Sequence, residues 1–337
     1  MKAWIKQLLY NIKQSLGAVF LCFLSKNLKF VSVSFRKIGY TICKRFQRRP
    51  VMAKTFFIPN KESILGQQEV LTAKSILALV EGLESHSYDA VYLRQPLNRL
   101  EYIECGIVGQ SQFLFKVNYA DSQKGYQVVI PDFLTRADWE IVETLLQALS
   151  GKLGEAVEGI EDFDFETYFR ETVKQYLADK AARLVYCQGL LSPIYLNKEY
   201  LESFLAEDGL ARFEELVKKV QGSDAYLASV KFYPDAQGKV HGIYHLAQGV
   251  KTILPKEPFV PAPYTEQLAG KELVWEIDLV TISGYGSKAE DYDSIARLDY
   301  AKFLESLPTA FYQQLDANQL EVQAILGKDF EELASIE

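Results

Sequence analysis

The chain has 337 residues, 48% of them hydrophobic and 13% aromatic, which supplies a full core and excludes an intrinsically disordered protein. Residues 1–51 hold eleven Lys or Arg and no Asp or Glu, whereas the 286 residues that follow carry 26 basic and 44 acidic side chains; so acidic a body excludes non-specific nucleic-acid binding, which needs a basic surface. Only Cys105 and Cys187 fall in that body, too few for a disulfide framework and in keeping with a reducing cytoplasm.

The basic extension 1–51 has three readings. It is dispensable, with translation starting at Met52; or it is a signal or anchor segment; or it is a basic helix on the membrane surface. The uncharged run from Gln14 to Ser25 spans twelve residues, too short for a bilayer span of about 20 but within the range of a signal-peptide core. Ile5, Leu8, Leu9, Ile12 and Leu16 recur at helical spacing among lysines, as a surface helix requires. A membrane is therefore a partner only if this extension is expressed.

From Met52 onward the elements read in order. Thr55–Ile58 is a strand and Thr72–Leu83 an amphipathic helix. Strands follow near Ala90–Leu93, Leu100–Ile107 and Phe113–Tyr119, the last turning through Asp121 to Gly125 into Tyr126–Ile130 as a hairpin. Thr135 and Asp138 form a capping box for a helix buried through Trp139, Val142, Leu145, Leu146 and Leu149. A second helix follows over Phe165–Leu177, then strand, turn and strand over Arg183–Tyr195. Asn197 caps a helix through Ala206, and Gly209 separates it from another through Val220. Tyr226–Phe232 and Lys239–Leu246 make a second hairpin, and Leu273–Leu279 alternates as a half-buried strand with Trp275 on the buried parity. The tail from Asp299 reads as mostly helical. Together these give an α+β fold of two mixed units, 52–154 and 155–337, with antiparallel hairpins and packed amphipathic helices. A faint echo between Arg99–Gln123 and Arg183–Gln237 suggests a duplication, but Asp and Gly recur in turns for local reasons.

Three stretches, Lys54–Asn60 (KTFFIPN), Leu93–Gly106 (LRQPLNRLEYIECG) and Thr135–Glu140 (TRADWE), are similar to one of the domain-of-unknown-function families of low-GC Gram-positive bacteria. The resemblance covers about residues 52–337. It implies a bacterial, cytoplasmic protein and carries over no catalytic or binding residue.

The residues that could carry chemistry are few. His241 and His245 have the spacing of a helical zinc pair, but Gly242 and the preceding turn place them on a strand, where they lie about 13 Å apart and cannot share an ion. They read as ordinary strand residues, and no metal site or cofactor is expected. Glu276 and Asp278 share a strand face about 7 Å apart, a spacing some glycosidases use, although charges on the wet side of a half-buried strand are the simpler reading. Asp162, Asp164 and Glu166 resemble the start of a calcium loop but lack its Gly and terminal Glu. Cys105 and Cys187 lie in apolar runs, and Gly109–Phe113 lacks the second glycine of a nucleophile elbow. Pro255, Pro258 and Pro261 fit a polyproline pattern or, more simply, a rigid spacer. A Gly/Ser turn follows the Leu273–Ile282 strand, and Ser283, Gly284, Gly286 and Ser287 are its ligand-contact candidates, because loops at strand ends carry function. These features favour a non-catalytic binding or interaction protein over a hydrolase or transferase using carboxylates near Gly284–Ser287, with the partner unspecified.

Overall fold

Alternation between buried and exposed side chains governs the first sheet, as in Phe115–Ala120, where every second residue is buried. The computed structural model describes residues 53–63, 66–67, 69–179, 183–283 and 291–335; the three readings of residues 1–51 lie outside them. Strands β1 (Thr55–Pro59), β4 (Leu83–Ser85), β5 (Ile103–Ile107), β6 (Phe115–Ala120) and β7 (Gly125–Val129) pair antiparallel in the order β1-β7-β6-β5-β4. A two-residue pairing of β2 (Glu62–Ser63) with β3 (Gly66–Gln67) follows β1. Helix α1 (Ala73–Leu77) is capped by the Thr72 side chain and is shorter than its apolar stripe suggests. Gly82, with φ at +75°, turns the chain so that Leu83 enters β4 instead. The strand expected near Ala90–Leu93 is a 3-10 turn, Tyr92–Arg94, on the surface.

Helices α2 (Arg136–Leu153), α3 (Phe165–Ala178), α4 (Lys198–Ser203) and α5 (Gly209–Gln221), with the hairpin β8 (Val185–Cys187) and β9 (Ile194–Leu196), complete the first unit. The chain divides at Gln221/Gly222, later than the break expected at 154. Aromatic packing explains the difference. Phe133 lies 6.0 Å from Phe169 of α3 and 5.6 Å from Phe213 of α5, while Trp139 of α2 lies 4.6 Å from Phe163 and stacks on Phe165 at 5.9 Å. Helices that follow residue 154 thus share the core of the first sheet.

The second unit has two four-stranded sheets. One is β11 (Lys231–Pro234), β12 (Val240–Ala247), β14 (Leu273–Ile282) and β15 (Tyr292–Asp299), in that order; the other is β10 (Tyr226–Leu227), β13 (Thr252–Pro255), β17 (Gln319–Val322) and β16 (Tyr312–Gln314). β12 and β14 run parallel, and the other pairs of the first sheet run antiparallel. Tyr244, Leu246, Ile277 and Leu279 meet Leu254 and Val322 of the other sheet, with Tyr300 and Phe303 from α6 (Tyr300–Ser306) and Phe330 and Leu333 from α7 (Gly327–Leu333), in one core cluster. The tail is therefore not mostly helical. Asp316 accepts hydrogen bonds from the N–H groups of Asn318 and Gln319, both at 2.9 Å, an Asx turn that starts a strand where a helix was expected. The fold is α+β, and no described helix is long and apolar enough to cross a membrane.

Candidate functional site

The parallel register of β12 on β14 places Tyr244 opposite Ile277 and Leu246 opposite Leu279 on the core side. The intervening residues therefore share the other side of the sheet: His241, Ile243 and His245 on β12, and Val274, Glu276, Asp278 and Val280 on β14. Across β11, Tyr233 stands opposite His241 and Lys231 opposite Ile243. Across β15, Arg297 stands opposite Asp278, and a bulge after Leu279 brings Ser294 opposite Val280. Gly242, on the core side, has no room for a side chain, because a Cβ there would lie 2.6 Å from the Trp275 ring.

His241 sits between two carboxylates. Its Nδ1 lies 2.9 Å from Glu276 Oε2 and its Nε2 lies 3.5 Å from Asp235 Oδ2. Carboxylate oxygens only accept, so this arrangement suits the doubly protonated imidazolium. The hydrogen bond to Glu276, with help from Asp235, raises the His241 pKa above its ordinary value against the pull of desolvation. Asp235 is held below the usual carboxylate range. Desolvation opposes its ionisation, but the N–H groups of Lys239 and Gln237, both 2.9 Å from Oδ1, and His241 prevail. Lys239 also reaches Glu272 at 2.6 Å.

One row away, Asp278 is buried beneath three partners. Ser294 Oγ donates to its Oδ1 at 2.5 Å, while Arg297 Nη2 and His245 Nε2 lie 3.6 and 3.8 Å from its Oδ2. Burial, with the positive charges of Lys231 and Arg297, lowers the His245 pKa despite Asp278. Two histidines four residues apart thus have pKa values moved in opposite directions. They are not the incidental strand residues that spacing suggests.

Of the loop residues singled out by sequence, Ser283 donates from both its N–H and its Oγ to the Asp291 carbonyl, at 2.7 and 3.2 Å, joining the ends of β14 and β15. Gly284, Gly286 and Ser287 lie outside the described residues. Asp164 caps α3 by accepting from the Thr167 N–H at 2.7 Å. Cys105 is fully buried, and that burial pushes its thiol pKa far up, away from a nucleophilic thiolate. Among the described residues no group of three His, Cys, Asp or Glu is placed to hold a metal ion. Sequence reasoning missed Asp235, Lys231, Ser294 and Arg297, since their meaning depends on which strands become neighbours.

The three distinctive sequence stretches serve the first unit's architecture. Asn60 donates from its backbone to the Lys124 carbonyl at 2.9 Å, and Leu97 donates to the Leu71 carbonyl at 2.9 Å. Asp138, buried in α2, accepts from the N–H groups of Gln112 (2.9 Å), Phe113 (3.3 Å) and Thr135 (3.2 Å) and from Thr135 Oγ1 (2.6 Å). A family model described as a domain of unknown function, DUF4299, matches residues 53–333. No curated protein and no solved structure matches the chain.

Proposed function

The chain belongs to the DUF4299 family, a domain of unknown function, and we propose that it is a non-catalytic interaction protein whose docking surface is the outer face of the β11-β12-β14-β15 sheet. One observation carries this reading. Exposed Tyr233 (49%) stands at one corner of that face and exposed Ile282 (38%) and Tyr292 (39%) at another, with Arg297 and the paired charges between them. Aromatic side chains and arginine dominate the energetics of protein interfaces, and rings lose little conformational entropy on binding. The charges between them are already matched internally, so the surface is preorganised for a partner. A carboxylate-dependent hydrolase finds support in Glu276 and Asp278 sharing the face, but His241 engages the first and Ser294 and Arg297 the second.

Photo-cross-linking in cells tests the proposal, with benzoylphenylalanine placed in turn at Tyr233, at Tyr292 and, as a control, at exposed Gln147 of α2. The expected result is an adduct of one discrete size from the first two positions, weakened by Arg297→Glu and absent from the control. Equal labelling from all three positions, or none from Tyr233 and Tyr292, overturns it.

A further inference from the structure

We propose that His241 is a proton-controlled latch: its imidazolium ties the turn between β11 and β12 to β14, and loss of one proton releases that turn from the sheet. The proposal concerns regulation of the docking face and rests on that reading only for its biological consequence; the latch itself stands on geometry.

Both ring nitrogens face acceptors, Glu276 Oε2 at 2.9 Å and Asp235 Oδ2 at 3.5 Å. A neutral ring has one N–H. If it keeps the shorter contact to Glu276, the lone pair of Nε2 is turned toward the Asp235 carboxylate, and attraction becomes repulsion. Oδ1 of the same carboxylate accepts from the N–H groups of Gln237 and Lys239, so a carboxylate pushed away from the ring loosens the turn's own hydrogen bonds as well. What is lost outright is the turn's anchorage to β14, next to Tyr233, the residue directly opposite His241.

Among the described residues, the other charged groups near the ring have partners of their own. Lys239 of the turn is paired with Glu272, which precedes β14. On the same strand, His245 answers to Asp278 of β14, Lys231 of β11 and Arg297 of β15. Asp299 of β15 stands opposite Glu276, and its carboxylate caps α6 through the Lys302 N–H at 3.0 Å. Glu276 and Asp235 are thus the groups whose contact with the ring changes when it loses a proton. The raised His241 pKa places that change above the titration of an ordinary histidine, near 6.5.

The test uses the full chain. Imidazole resonances of its three histidines are followed by NMR from acid to alkaline pH and assigned with single His→Gln variants, while hydrogen exchange, corrected for intrinsic rates, monitors residues 233–241. The expected result is a midpoint for His241 above that of His245, with loss of protection in the turn through the His241 titration. His241→Gln should leave the turn unprotected at every pH. Asp235→Asn should reverse the dependence, with the turn protected once the ring is neutral, because Nε2 can then accept from the asparagine amide, and released while Nε2 carries a proton and faces that donor. A turn whose protection does not change through the titration, or that stays protected in His241→Gln, overturns the latch. Failure of the docking reading looks different: no adduct forms from Tyr233 or Tyr292 at any pH, whatever the turn does.

Discussion

Replacing Asp138 by Ala removes an acceptor that four donors share inside the first unit. Thr135 still caps α2 through the residue-138 N–H at 3.2 Å, so the helix start survives. The loss falls on the Gln112, Phe113 and Thr135 N–H groups, which are left facing a methyl group. An orphaned buried donor costs about 1–3 kcal/mol, so three cost about 3–9. Part of this is returned, because burial raises the Asp138 pKa despite its hydrogen bonds and the variant no longer desolvates a carboxylate. We expect a net loss of about 2–4 kcal/mol, a large share of the 5–15 that holds a typical domain. Asp138→Asn keeps one acceptor oxygen for the Gln112 and Phe113 N–H groups but turns an amide toward the Thr135 N–H, so it should cost about half as much. Urea unfolding followed by Trp139 fluorescence measures both. An Ala variant within about 0.5 kcal/mol of the parent, the range of ordinary surface changes, would refute the reasoning.

Trp139→Ala should cost about 3–5 kcal/mol, as for large core truncations, since the ring packs on Phe56, Phe163 and Phe165. Trp275→Ala should cost less, about 1–3, because that ring is only half-buried against the second core; equal losses in chemical denaturation would contradict this ranking. Gly242→Ala should destabilise by about 1–3 kcal/mol through overpacking against the Trp275 and Phe232 rings, and a thermal melt at parental temperature would show that both rings yield freely. Stability should also follow the histidines. His241, with a raised pKa, contributes stability that is full below about 6.5 and lost as pH rises through its folded-state value. His245, with a lowered pKa, acts oppositely, its contribution being lost as pH falls from about 6.5 toward its folded-state value. In denaturant midpoints measured across pH, His241→Gln should flatten the alkaline decline and His245→Gln the acid one.

Local rules made much of the fold legible. The Thr135–Asp138 capping box, the Asn197 cap and the turn before Gly125 all stand where their side chains demand. Strand parity also held, with Ile277 and Leu279 inside and Glu276 on the other side. Pairing was not legible. Nothing in Val240–Ala247 announces that it runs parallel to a strand some thirty residues later, and only that register sets His245 opposite Asp278. β15 escaped notice because its bulge inserts Ile295 between Ser294 and Ala296, which breaks the period of two by which a strand is recognised. Gly82 and the Asx turn at Asp316 likewise ended helical patterns through backbone conformation rather than through hydrophobic spacing.

The central claim is that the outer face of the β11-β12-β14-β15 sheet meets a partner, and hydrogen exchange on the complex tests it most directly. Once cross-linking from Tyr233 or Tyr292 has identified the partner, the full chain is compared with and without it. New protection should fall on Lys231–Pro234 and Tyr292–Asp299, with the ends of Leu273–Ile282, and should be lost with Arg297→Glu. Protection confined to residues 53–221, or unaltered by that charge reversal, would contradict the account.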